Sequence, residues 1–433
     1  MPRSLRPFHK LRKIQPDLPA SYLITKDTDD TINAINGTTG EVEYSGTDAA
    51  TVIQNALNAL TSGRTWKEKV VLKGNFELTE YLRVASYTIL EINGQLKASD
   101  NFQTADTQLQ RLIVGSNLQA TTPRPMYIDI IGGTLDGNKA NQPISSMNII
   151  LFFNGSHINI SGTLAINSTS RGVTIDNCED SVLLNVRAES NDGDGFLIVN
   201  SPSVNLVGCL AVNNGEQGIY VSEEAALILG GLVYDNGLDG IHLRPSSPEL
   251  KHSWYGRIIG THIRHNNGNG VRLLAEGGYA TYYTRIIGCE ISFNQNYGIY
   301  EDSGCNFNTF AFNYVAENGV GAIVTNGANT IVKDNIGYVT ENNGTATIAN
   351  GAASIVVAHG LAAAPTVVTL GAKHAEVADA IWSADATNIT ITVPSAVTAD
   401  REISWCADTR GKVILGRTLT DAYDLADALS KNI

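Results

Sequence analysis

The chain has 433 residues, 43% of them hydrophobic and only 17% charged, with 41 glycines against 12 prolines. That is enough apolar material for a sizeable core and more than one domain, so disorder as the main state is excluded, and the many Gly, Asn and Thr describe stacked short strands rather than a helical bundle. A formal net charge of −13 repels phosphate backbones over most of the surface, which argues against a nucleic-acid partner.

Residues 1–20 carry Arg3, Arg6, Lys10, Arg12 and Lys13 against Asp17, together with four prolines, and read as a mobile basic tail. No run approaches the about 18 apolar residues of a membrane helix, and the N-terminus lacks the apolar stretch of a signal peptide, so no membrane insertion is expected. Residues 21–67 read as an N-terminal cap. Within them TDAATVIQNALNAL predicts a helix with Thr47 as N-cap and Val52, Ile53, Ala56, Leu57 and Leu60 on one apolar face.

Residues 68–340 repeat. Asn, a few small residues, Gly and an apolar strand recur with glycines at Gly172, Gly195, Gly218, Gly240, Gly270, Gly298 and Gly321, in steps of 23, 23, 22, 30, 28 and 23 residues. The preceding asparagines (Asn167, Asn191, Asn214, Asn236, Asn266, Asn294, Asn318) keep the same rhythm. A second strand per repeat carries inward positions of like character: Cys209, Gly231, Thr261 and Cys289, then Ala211, Val233, Ile263 and Ile291. Such a pattern predicts a solenoid in which identical side chains stack at about 4.8 Å, with buried Asn satisfying the backbone of the neighbouring coil. The helix of the cap would plug its exposed first coil. Five cysteines (Cys178, Cys209, Cys289, Cys305, Cys406) are odd in number and widely spaced, so neither a disulfide framework nor a zinc site is expected; they read as buried small hydrophobes.

Residues 341–410 change rhythm to alternating strands (ASIVVAHGL, TVVTL, AIWSAD, NITITV, REISWCAD) and predict a small β-sandwich, an oligomerisation or carbohydrate-binding module. Residues 411–433 have helical spacing, with Leu419, Tyr423, Ala426 and Leu429 on one side of a C-terminal tail.

With about 23 residues per turn, β-branched strands and no helix per repeat, the repeat resembles the right-handed parallel β-helix of the pectate-lyase-like superfamily. The fold class expected is therefore all-β. The stretch after residue 343 resembles C-terminal modules of phage and archaeal-virus tail fibres, and YLITKDTDDTINAINGTTGEVEYSGTDAATVIQNAL resembles the start of archaeal and viral β-helix proteins. Together these resemblances imply a tailspike-type protein, extracellular or virion-associated, a homo-oligomer (trimer), with a polysaccharide as partner.

Strand alternation points the second residue after each repeat glycine to solvent, which lines up Thr174, Leu197, Tyr220, His242, Arg272, Tyr300 and Ile323. Tyr, His, Arg and Tyr on four successive coils are unusual for a purely structural outer face. The residues just before the glycines (Asp194, Gln217, Asp239, Asn269, Tyr297) give a parallel line, and Ser222, Arg244, Glu223 and Glu224 continue the expected groove. The two long coils add loops at 245–256 and 275–284 that should overhang it, where Trp254, Tyr255, Tyr279, Tyr282 and Tyr283 either stack on sugar rings or pack the loops. Residues 242–285 hold six Lys or Arg and four His against Glu249 and Glu276, a basic band suited to an anionic glycan.

Three functions follow from these residues. In a uronate lyase His242 is the base, Arg272 and Arg244 neutralise the substrate carboxylate, and Tyr220 or Tyr300 protonates the leaving oxygen. An inverting hydrolase would use Asp194 and Asp239, two coils or about 9.6 Å apart, although Asp-Gly is also ordinary turn chemistry. A non-catalytic spike would keep the aromatics to bind a glycan. Elimination explains more of the unusual residues. No cofactor follows from the sequence; calcium is compatible with Asp192 and Asp194, but two carboxylates do not define a site.

Overall fold

Each repeat closes into a coil of three short strands, because inward positions are apolar and the corners turn through left-handed backbone, held by Gly, Asn or Asp in many coils and by Tyr, Phe or His in others. The computed structural model describes residues 20–102, 111–115, 124–143, 146–222, 226–245, 252–327 and 329–409. The expected tails, and Glu223 and Glu224 of the expected groove, lie outside these residues.

One face is a ten-stranded parallel sheet that includes Val173–Asp176, Phe196–Val199, Ile219–Ser222, Ile241–Arg244, Val271–Leu273 and Tyr297–Glu301. The other two faces belong to a larger sheet. One is built from strands such as Asn205–Val207 and Leu227–Leu229, the other from strands such as Leu210–Val212 and Leu232–Tyr234. The strand pairs Val173 with Phe196, then Ile219, Ile241, Val271 and Ile299, reproducing the repeat of the sequence. At the last coil the register is one residue longer: Ile299 pairs with Ile323 and Tyr300 with Val324. Ile323 is therefore a core residue, 6% exposed, and not a member of the outer stripe.

The core is one continuous column of Val, Ile, Leu, Phe and small residues along the coils. Four of the five cysteines are buried in it, whereas Cys406 is exposed, because it sits at an outward position of Arg401–Asp408. Beside the column runs an asparagine ladder. Asn191 Nδ2 donates to Asn214 Oδ1 at 2.9 Å, Asn214 to Asn236 at 2.9 Å, Asn236 to Asn266 at 2.8 Å, Asn266 to Asn294 at 2.8 Å and Asn294 to Asn318 at 2.9 Å. Each amide also donates to a backbone carbonyl of the preceding coil, such as Ala188 or Ala211, and its oxygen accepts a backbone N–H. Both ends of the amide are thereby satisfied, at buried positions for Asn191 through Asn294 and a half-buried one for Asn318. The first rung differs from expectation: Ser168, not Asn167, donates its backbone N–H to Asn191 Oδ1, and Asn167 instead takes the left-handed corner at φ 55°.

At the N-terminal end, helix Ala49–Asn58 packs on Ile32–Asn36, Val42–Gly46, Glu68–Leu78 and Leu82–Val84. Val52, Ile53, Ala56, Leu57 and Leu60 are buried in the solenoid core. Its N-cap is Asp48, whose carboxylate accepts from the Thr51 N–H, rather than Thr47; the ionised acceptor also complements the helix dipole.

The chain divides into two compact units between Tyr338 and Val339. The second contains two three-stranded antiparallel sheets, one with Arg401–Asp408 between Glu341–Ile348 and Val367–Ala372, the other with Asn388–Thr392 between Ser354–Ala358 and Ile381–Ala384. They share a core of Ile348, Ile389, Ile391, Ile403, Trp405 and Ala407.

Candidate functional site

Parallel register carries one outward residue of each coil onto the next, so Leu197, Tyr220, His242, Arg272 and Tyr300 are consecutive neighbours on the ten-stranded face. Tyr220 and His242 stack with ring centroids 5.5 Å apart, and the Arg272 guanidinium lies 6.0 Å from the Tyr300 ring centre. His242 is 7% exposed. Its Nδ1–H donates to Asp239 Oδ2 at 3.1 Å, the tautomer being set by the acceptor-only carboxylate. That leaves the Nε2 lone pair without a hydrogen-bond partner among the described residues and shielded from bulk water.

Asp239 is thus the hydrogen-bond partner of His242. Its other oxygen accepts from the Asn269 N–H at 2.7 Å and from Asn269 Nδ2 at 2.9 Å. Burial alone would raise this carboxyl, but the hydrogen bonds from His242 and Asn269 outweigh it and hold it below the usual carboxylate range. The line before the glycines proves to be a second coil-to-coil ladder: Asp194 accepts the Gln217 N–H, Asp239 that of Asn269, and Asn269 that of Tyr297.

Asp194 is 2% exposed and accepts from Arg171 Nε at 3.2 Å. Burial pushes its carboxyl up to about 6 against the opposing pull of Arg171. It borders a pocket of about 380 Å³ with Arg171, Leu197, Val199, Glu216, Gln217, Tyr220 and Leu238. Arg171 and Glu216 are absent from the sequence-derived site, yet the same count finds Arg171, which directly precedes Gly172 as Asp194 precedes Gly195. Tyr220 joins the pocket to the His242 site.

Several expected members hold their register positions but are covered or already paired. Thr174 and Ser222 are buried, Ser222 beneath a contact to the Pro245 carbonyl. Arg244 pairs with Glu276 at 2.5 Å, so the second long loop does reach the stripe, through an acid rather than an aromatic side chain. Arg244 also lies 5.9 Å from the Tyr220 ring centre. Arg272 meets Asp302 at 3.5 Å, long for a charge-assisted bond, and its Nε has no partner among the described residues. The basic band is wrapped around the coil: His262 pairs with Glu290, and Arg257 and Arg285, neighbours on successive coils, occupy a different face from His242. Asp192 is bound to Lys139 and Asp194 to Arg171.

The loop aromatics pack on one another. Tyr255, Tyr283 and Phe307 occupy one left-handed corner on consecutive coils and stack at 5.3 and 5.2 Å. Trp254 and Tyr282 pair on a short parallel strand pair, and His252 is wedged among Trp254, Tyr279 and Tyr282.

The family model described as right handed beta helix region matches residues 126–251. No curated protein matches the chain. Among solved structures, the chain is similar to ORF18 of Geobacillus virus E2 (TM-score 0.55, 12% identity, 86% of this chain and 84% of that one). It is similar also to the Azotobacter vinelandii mannuronan C-5 epimerase AlgE4 A-module (TM-score 0.51, 18% identity, 67% of this chain and 91% of that one). A third likeness is to PfbA, a surface adhesin of Streptococcus pneumoniae (TM-score 0.51, 14% identity, 65% of this chain and 78% of that one). With coils in continuous parallel register, ladders along them and this match, the chain is a right-handed parallel β-helix protein.

Proposed function

We propose that the protein cleaves a uronate-containing polysaccharide by β-elimination at His242. The observation that carries this reading is the Asp239–His242 pair, with Nε2 unpartnered between Tyr220 on one coil and Arg272 on the next. His242 Nε2 removes the C5 proton, the C–H electrons become the C4=C5 double bond, and the C4–O4 bond breaks with its electrons on the leaving oxygen. Arg272 offers the loosely held Nη2 to the substrate carboxylate, joined by its buried Nε–H, unpartnered among the described residues, once the covering side chains part, and so stabilises the intermediate anion. Tyr220, stacked on His242, is the candidate acid that protonates O4, with Tyr300 one coil beyond Arg272 as the other candidate. Substrate entry has to part the side chains that shield Nε2. The fold shared with a mannuronan C-5 epimerase fits a reaction that also begins at a uronate C5.

Hydrolysis is the second reading, favoured by one observation: Asp194, pushed up to about 6, has the protonation behaviour of a general acid and shares its pocket with Glu216. A panel of acidic and neutral polysaccharides followed by ultraviolet absorbance and by a reducing-end assay separates the two. Elimination raises both signals, and His242→Ala lowers the rate at least about a hundredfold with unchanged circular dichroism. Reducing ends without absorbance would move the chemistry to Asp194. Tight glycan binding without either signal would make the protein a non-catalytic spike. A homo-oligomer, implied by the tailspike resemblance, is a separate proposal that sedimentation equilibrium tests.

A further inference from the structure

We infer that the substrate is a mixed polymer, with an uncharged sugar seated in the Arg171–Glu216 pocket beside the uronate at His242; this rests on the uronate reading of the His242 site. The two positions are joined by Tyr220, whose ring lines the pocket and stacks on His242. They lie one to two coils apart, about 5 to 10 Å, so neighbouring sugars of one chain reach both.

Their charges differ in kind. At the His242 end, Arg272 Nη2 makes only a long contact to Asp302 and its buried Nε has no partner among the described residues, so a carboxylate that parts the covering side chains finds donors there. In the pocket the single guanidinium, Arg171, is already bound to Asp194, and Glu216 adds a second carboxylate whose field acts on Asp194. Two acids against one occupied base oppose a uronate there. The same groups suit hydroxyls: Glu216 and Gln217 accept from or donate to a sugar diol, and Leu197, Val199 and Leu238 offer apolar surface to its C–H face. The volume of about 380 Å³ is at the small end of ligand sites.

The test compares homopolymeric uronans (polygalacturonate, alginate) with polymers in which a uronate neighbours an uncharged sugar (hyaluronan, gellan), at pH about 7.5, where Asp194 is mostly ionised. Rates come from the absorbance of the unsaturated product, and binding of the same polymers to His242→Ala comes from calorimetry. The mixed polymers are expected to be preferred by about tenfold or more in kcat/KM, and Glu216→Gln, at an exposed side chain, to narrow this to about threefold by improving the homopolymers. Equal or better use of the homopolymers, or a preference that Glu216→Gln leaves unchanged, overturns the mixed-polymer inference while the His242 reading stands. Absence of both elimination and binding on every polymer, or elimination that survives His242→Ala, overturns the His242 reading and this inference with it.

Discussion

Asp239 and Asp194 occupy equivalent places two coils apart, and their neighbours give them opposite properties. Asp239 receives hydrogen bonds from His242 and Asn269 and stays ionised; Asp194 is buried with one guanidinium and is pushed up to about 6. For Asp239→Asn we expect kcat to fall by about tenfold or more with KM little changed, because the amide no longer holds the proton on Nδ1. A drop confined to KM would place Asp239 in substrate binding instead. Asp194 carries a stability signature. Its folded-state value lies above the ordinary carboxylate value of 3.8, so between about pH 4 and 6 the folded chain binds more protons than the unfolded one. The contribution is fully present below that window and is lost as pH rises through about 6, about 3 kcal/mol at most. Urea unfolding of Asp194→Asn across this range should show a flatter profile than the parent; parallel profiles would contradict the assignment.

Ladders are the unit of stability at the scale of the element. Asn236 is fully buried, donates to Asn266 and to the Ala211 carbonyl, and accepts from the backbone and side chain of Asn214. Asn236→Ala leaves those groups without their partners at a buried position, and chemical denaturation should show a loss of about 3 to 5 kcal/mol. The repeat glycines answer a different constraint. A Cβ at Gly240 would stand 2.6 Å from Ile263 Cγ2 and 2.7 Å from the Gly270 carbonyl oxygen, so Gly240→Ala must push two coils apart and should lower the midpoint as well. Since Gly240 lies between Asp239 and His242, that variant should also lose activity before it loses its strand signal in circular dichroism.

Across the whole molecule, the core of the solenoid and that of the C-terminal sheets share no residue. Calorimetry should therefore resolve two transitions, the larger one carrying the destabilisation of Asn236→Ala and the smaller one unmoved by it. A single transition that shifts as a whole would show the two units to be one cooperative body.

The period, the inward columns, the buried asparagines and the order Tyr220, His242, Arg272, Tyr300 were all legible in the sequence. Each depends on spacing along the chain, and parallel stacking converts equal spacing into adjacency. Tertiary structure alone decided what depends on offsets of one or two residues and on loops of unequal length. Ser168 replaces Asn167 on the ladder, and the last coil moves Ile323 inward. The 30- and 28-residue coils bring Glu276 to Arg244 and leave the tyrosines stacked at a corner. The partner of each charge was likewise invisible, because an ion pair is settled by the side chains of adjacent coils: Asp239 became the support of His242, and Arg171 and Glu216 formed a pocket that no single repeat contains.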